Sequence, residues 1–144
     1  MTLRLRAALP ITALVLAALA ACSAPSGTPP PSGAACAVAD ATNTVQLTAK
    51  DLKFSAPCID AMAGMPIIIN FTNLESVPHN LTVWTDTSRT TQIVAGDTIQ
   101  GPDKTTTVTV PAQPPGQLFF DCTIHPNAMN GALVVKAVPG ASAS

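Results

Sequence analysis

The sequence predicts an all-β domain, a sandwich or a barrel. Three observations carry this. Short β-prone runs alternate apolar and polar residues with period two, as half-buried strands do. Turn formers punctuate the gaps: Pro57, Gly64, Gly96, Gly101, Pro102, Pro114, Pro115 and Gly116. After Cys22, no stretch of ten or more residues shows a helical apolar period; residues 34–41 (AACAVADA) tolerate helix but are too short to form one.

The chain begins with an address. Residues 1–6 (MTLRLR) carry Arg4 and Arg6 and no acid, and the apolar run that follows ends at Ala21. A basic start before a short apolar run is the pattern of an export signal. The run falls short of the ~20 residues a membrane span needs, and Pro10 interrupts it. Leu19-Ala20-Ala21-Cys22 resembles a bacterial lipobox. That resemblance implies cleavage before Cys22, diacylation of its sulfur and a lipid anchor outside the cytoplasm. A plain secretory cut, leaving Cys22 an unpaired thiol, is the alternative. The signal is thus 1–21 and a tether spans 22–41. Within the tether, residues 23–35 (SAPSGTPPPSGAA) lack apolar periodicity and stiffen toward polyproline II at Pro29, Pro30 and Pro31. The folded domain covers 42–139, and 140–144 form a flexible tail.

Strands are expected at residues 45–49 (VQLTA), 66–73 (PIIINFTN), 79–85 (HNLTVWT), 105–110 (TTTVTV), 117–122 (QLFFDC) and 132–138 (ALVVKAV). Composition agrees. The 144 residues suit one domain; 47% are hydrophobic and only 10% charged, which favours a packed core over disorder. Seven basic residues against eight acids give a formal charge of −1 and no basic stripe for nucleic acid. Losing Arg4 and Arg6 with the signal leaves five basic residues against eight acids, a mildly acidic −3. A coiled coil, a histone-like binder and a multi-domain enzyme are excluded.

The chemistry-bearing residues fall in two places. The chain has only two histidines. His79 lies in Val77-Pro78-His79-Asn80, and His125 follows Cys122 in FFDCTIHPNAMNG, with Met129 just beyond. Cys122, His125 and Met129 lie within eight residues, so one loop can wrap one ion; His79, 43 positions earlier, supplies a second wall. One thiolate, two imidazoles and a thioether form a soft set that favours copper, and His₂Cys with a weak axial Met is the donor set of blue-copper sites. Structural zinc prefers four Cys/His ligands and rarely uses Met. A nucleophilic Cys–His pair is the other alternative. Cys122 and His125 lie on one tight loop without an evident orienting third group, and Asp121 should face away from Cys122 in a strand.

With these motifs the sequence resembles the cupredoxins, specifically the plastocyanin/azurin type, over residues 45–138. The matching pieces are Lys53-Phe54, the Ala63-Gly64 turn into PIIINFTN, VPHN, the Thr/Val-rich strand and FFDCTIHPNAMNGALVV. The resemblance implies a Greek-key β-sandwich and one copper ion held by His79, Cys122, His125 and Met129. The spacing C-x₂-H-x₃-M lies between the family's shorter and longer loops, so Asn127 or a backbone carbonyl is the alternative to Met129 as axial donor. A binuclear oxidase-type site would need a second loop cysteine, and this loop has only Cys122. In the family the Asn after the first His helps lock the ligand loop, which points to Asn80. Thr123 follows the Cys and is suited to hydrogen-bond it. Ile124 keeps a backbone N–H where some members have proline, and donation to the Cys122 sulfur would favour Cu(I); Ile124→Pro is then expected to lower the potential. Pro78, Ile124, Pro126 and Ala128 would ring His125 as an apolar contact patch. In an exported chain Cys36 and Cys58 remain to pair as a disulfide. The expectation is a monomeric copper protein, not an enzyme, lipid-anchored outside the cytoplasm. It would pass single electrons between a redox donor and an acceptor; a copper carrier or buffer without redox turnover is the competing class.

Overall fold

A computed structural model describes residues 35–139 of the chain. The signal segment, Cys22, most of the tether and the tail at 140–144 lie outside the described residues. Ten strands form two sheets: β1 (Ala37–Val38), β2 (Thr44–Lys50), β3 (Lys53–Phe54), β4 (Cys58–Met62), β5 (Ile67–Asn73), β6 (Thr82–Trp84), β7 (Gln92–Ala95), β8 (Lys104–Val110), β9 (Gly116–Asp121) and β10 (Asn130–Lys136). The larger sheet runs β1-β4-β10-β9-β6-β7 and the smaller β3-β2-β5-β8. No helix occurs among the described residues. The chain passes repeatedly from one sheet to the other, which gives the Greek-key sandwich expected from the sequence.

Period two explains the smaller sheet. In β2, Val45, Leu47 and Ala49 are buried, while in β5 the buried set is Ile67, Ile69, Phe71 and Asn73. Alternate residues of a strand share a face, so these runs present one apolar surface inward. β2 lies parallel to β5, and β5 antiparallel to β8, whose Val108 and Val110 join the same face. Across the core, β9 contributes Phe120 and β10 Leu133. Phe54 bridges the layers. Its ring packs edge-on against Phe71 at 5.9 Å and against Phe120 at 5.3 Å, the geometry aromatic quadrupoles favour.

The ordered sheet starts earlier than the boundary at residue 42. Ala37–Val38, expected within the tether, pairs in parallel with β4 as an edge strand. A disulfide between Cys36 and Cys58 fastens this edge, closing a separation of 22 residues. Asn43 then turns the chain into β2. It is buried with φ 60°, a left-handed conformation that Asn tolerates better than most residues. Its side-chain oxygen accepts the Met62 N–H at 2.8 Å, and its amide donates to the carbonyls of Met62 and Pro66. One side chain thereby satisfies the backbone at the β4–β5 turn.

The run 79–85 does not form one continuous strand. β6 begins at Thr82, and His79 makes an isolated antiparallel bridge with Ile99. β4 and β7, which the sequence pattern does not mark, complete the larger sheet.

Candidate metal centre

His79 is held by backbone before its side chain is considered. Its N–H donates to Ile99 O at 3.0 Å, and its carbonyl accepts the Ile99 N–H at 2.9 Å. The fully buried ring is then oriented by Glu75, whose Oε1 lies 2.7 Å from Nε2. A carboxylate there accepts a hydrogen bond from Nε2–H, which keeps the proton on Nε2 and leaves the Nδ1 lone pair free. The hydrogen bond from His79, then that from the Leu52 N–H, holds Glu75 below the usual carboxylate range, with partial desolvation acting the other way.

Cys122 follows β9 directly and is fully buried. The segment after it closes on itself: Cys122 N–H donates to Met129 O, His125 N–H to Cys122 O, and the N–H groups of Ala128 and Met129 both donate to His125 O, all at 2.9–3.1 Å. This winding returns His125 toward the cysteine. Cys122 Sγ lies 3.8 Å from His79 Nδ1 and 3.8 Å from His125 Nδ1. The three donor atoms lie within 4.8 Å of one another. Metal–sulfur and metal–nitrogen bonds of about 2.3 and 2.05 Å span about 3.6 Å at a tetrahedral angle and about 3.8 Å at 120°. Both sulfur–nitrogen contacts therefore fit a single ion between them. Met129 is fully buried, and its backbone is bonded to both Cys122 and His125.

Asn80 and Thr123 form a reciprocal pair. The Asn80 amide donates to Thr123 Oγ1 at 2.8 Å, and Thr123 N–H donates to Asn80 Oδ1 at 2.9 Å. The residues next to the two far-apart ligands are thus stitched together. Among the described residues no hydrogen bond runs from the Ile124 N–H to Cys122 Sγ, whose polar contacts are the two imidazoles. Ile124 instead occupies the turn closed by His125 N–H and Cys122 O, and its side chain is exposed. Around half-buried His125, Ile124 and Ala128 are exposed, and Pro78 and Pro126 are half-buried.

A model of the cupredoxin-like domain matches residues 11–135, most of the chain. The chain belongs to the cupredoxin-like domain family. Solved structures with similar folds include two auracyanins and a rusticyanin. Auracyanin from the photosynthetic bacterium Roseiflexus castenholzii is 21% identical with a TM-score of 0.58, covering 67% of this chain and 99% of that one. Auracyanin A, a blue copper protein from the green thermophilic photosynthetic bacterium Chloroflexus aurantiacus, is 20% identical with a TM-score of 0.57, covering 65% and 98%. Rusticyanin, a copper protein, is 18% identical with a TM-score of 0.54, covering 69% and 81%. At these identities the likeness establishes the fold. No curated protein matches the sequence.

Sequence pattern did not single out two charged side chains beside this cupredoxin-like centre. Glu75, the chain's one glutamate, orients His79; Arg89, the one arginine after residue 6, reaches the ligand loop. Their rarity was the available signal. Asp121 faces away from Cys122, as strand alternation requires, and accepts the Trp84 indole N–H at 2.8 Å.

Proposed function

We propose that this cupredoxin-like chain binds one copper ion and carries single electrons between redox partners outside the cytoplasm. The reading rests on one observation: a buried cysteine sulfur sits 3.8 Å from each of two imidazole Nδ1 atoms. This is the His₂Cys donor set of blue-copper sites. Structural zinc would want a fourth Cys or His, and the cluster offers three such ligands. His79, Cys122 and His125 would hold the ion, with Met129 as the weak axial donor. Copper, when bound, supplies the Cu(II)/Cu(I) couple.

The protein supplies the rest. Burial of Cys122 and His79 excludes water from the donors. Glu75 sets the His79 tautomer, and the Asn80–Thr123 pair fixes the two ligand-bearing segments to each other. Geometry held by the scaffold changes little between oxidation states, which lowers the barrier to moving an electron. Half-buried His125, ringed by Pro78, Ile124, Pro126 and Ala128, offers partners a small apolar face for brief encounters. In this reading the chain acts as a carrier of electrons, not as an enzyme, and works as a monomer. The Cys36–Cys58 disulfide supports an oxidising, extracytoplasmic location. The lipobox-like segment ending at Cys22 supports a lipid anchor.

Adding Cu(II) to the purified protein should produce a strong visible Cu(II)–thiolate band with a reversible one-electron potential. Cys122→Ser should abolish the band. Absence of the band in the wild type would defeat the reading. A colourless protein that surrenders copper rapidly to a chelator would fit the carrier or buffer class instead.

A further inference from the structure

The β6–β7 hairpin holds a residue whose backbone and side chain pull in different directions. Arg89 has φ 57°, the left-handed region that glycine occupies freely and most side chains avoid. The hairpin loop builds this conformation deliberately. Asp86 Oδ1 accepts the Ser88 N–H at 2.8 Å, Asp86 O accepts the Arg89 N–H at 3.3 Å, and Thr85 N–H donates to Thr91 O at 3.0 Å. A loop that needs only the turn would be served better by glycine. The arginine side chain gives this position another use.

That side chain reaches both ends of the ligand loop. Arg89 Nε makes an ion contact of 2.5 Å with Asp121 Oδ2, on the residue immediately before Cys122. Arg89 Nη2 donates to Pro126 O at 2.9 Å, on the residue immediately after His125. The guanidinium carbon lies 5.2 Å from the centre of the Phe119 ring. Asp121 is fully buried, with its other oxygen held by Trp84, so its position is fixed by the sheet. Most hydrogen bonds of residues 122–129 are internal to the loop. Besides the Cys122–His79 contact, three side chains from outside the loop tie to it: Asn80 at Thr123, Arg89 at the Pro126 carbonyl, and Asn130, at the start of β10, at the same carbonyl at 3.0 Å. The first anchors the cysteine end. Arg89 and Asn130 share the histidine end, and of the two only Arg89 joins it to the β6–β7 hairpin and to Asp121.

We propose that Arg89 is a positioning residue of the metal centre: its guanidinium clamps the Pro126 carbonyl to the buried Asp121 and so fixes His125 relative to Cys122. The inference rests on the copper reading above. An arginine suits the task because its delocalised charge faces the Asp121 carboxylate while one of its N–H groups donates to the Pro126 carbonyl, whereas a lysine ammonium is a single point charge.

The test compares the wild type with Arg89→Gly, Arg89→Lys and Arg89→Gly/Asp121→Asn. Glycine fits the left-handed backbone, so Arg89→Gly removes the clamp without straining the turn. The double variant also removes the charge that Arg89→Gly leaves buried, while keeping an acceptor for Trp84, and serves if the single variant does not fold. Two quantities are measured: release of Cu(II) to a chelator, and hydrogen exchange of the Ala128 and Met129 amides in the metal-free protein. Loss of such a supporting contact typically weakens a metal site by about 10–100-fold. Both glycine variants are expected to release copper at least about tenfold faster, to shift the Cu(II) EPR spectrum and to exchange the loop amides faster than those of β9. Arg89→Lys should fall between them and the wild type. Wild-type release and exchange in Arg89→Gly would overturn the clamp. So would full recovery in the double variant, which would assign the effect to the unpaired carboxylate. A wild type without the Cu(II)–thiolate band would refute the copper reading alone, because the exchange arm needs no metal.

Discussion

Gly131→Ala sets two effects of opposite sign against each other. Gly131 lies in β10 directly opposite Phe120 of β9. Its φ is not positive, so alanine suits the backbone. On backbone entropy alone, replacing glycine by alanine at a compatible position stabilises by about 0.4–1 kcal/mol. The packing says otherwise. A Cβ at Gly131 would meet Phe120 Cζ at 2.4 Å and Pro57 O at 2.5 Å, where ordinary contact is 3.4–4 Å. Neither neighbour yields easily. Phe120 is fully buried and packs on Phe54, and Pro57 O accepts the Ala132 N–H at 3.1 Å. Overpacking of this kind costs about 1–3 kcal/mol, and a loosened hydrogen bond adds about 1.

The net expectation is a loss of about 1–3 kcal/mol. For a domain near 100 residues this lowers Tm by roughly 5–20 °C. Thermal unfolding of the metal-free protein, followed by circular dichroism, measures it. Gly116→Ala is the matched control. That residue opens β9, and a Cβ there meets nothing within 4 Å, so its variant should gain about 0.4–1 kcal/mol. If Gly131→Ala were as stable as the wild type or more so, the reasoning would be refuted. β10 would then have room beside Pro57 that the structure denies it.

Other expectations follow from single contacts. Replacing Cys36 and Cys58 by serine removes the closure of a 22-residue separation and should cost about 3 kcal/mol in the chain-entropy model, read by denaturant unfolding against the oxidised protein. Glu75→Ala takes the acceptor from His79 Nε2 and should weaken copper retention about 10–100-fold in chelator competition. Glu75→Gln keeps an oxygen at that place and should stay much closer to the wild type.

Much of the fold was legible because period two survives wherever one strand face is buried and the other is wet. β2, β5 and β8 show it plainly. β4 does not. Cys58 and Ile59 are buried in succession, and the strand lies between β1 and β10 with both neighbours parallel. Its less buried positions are Asp60 and Met62, and only Asp60 is polar, so the alternation is faint in residue type. β7 is four residues within a Thr- and Gly-rich stretch, too short for a pattern to emerge. β1 was absorbed into the tether because composition describes the average of a segment, whereas the Cys36–Cys58 bond acts at one residue. At the centre, the ligands were readable from residue type and spacing. The contacts of Glu75 and Arg89 were not, since they depend on turns at residues 74–79 and 85–91 that carry no periodic signal.

The equality of the two sulfur–nitrogen spans bears on how the centre is built. His125 is three residues from Cys122 and His79 is 43, yet each Nδ1 lies 3.8 Å from the sulfur. Local winding of the loop can set the first distance. It has no hold on the second, which depends on where the Ile99 bridge places the His79 backbone and how Glu75 turns its ring. The Asn80–Thr123 pair is the joint between these two independent constructions, because it bonds the neighbours of both ligands in both directions. Asn80→Ala leaves each half intact and removes only the joint. It should therefore disturb the spectrum of bound Cu(II) more than it lowers the stability of the metal-free domain. A variant that lost stability while its copper spectrum stayed unchanged would mean that the two halves are aligned by the sheets themselves.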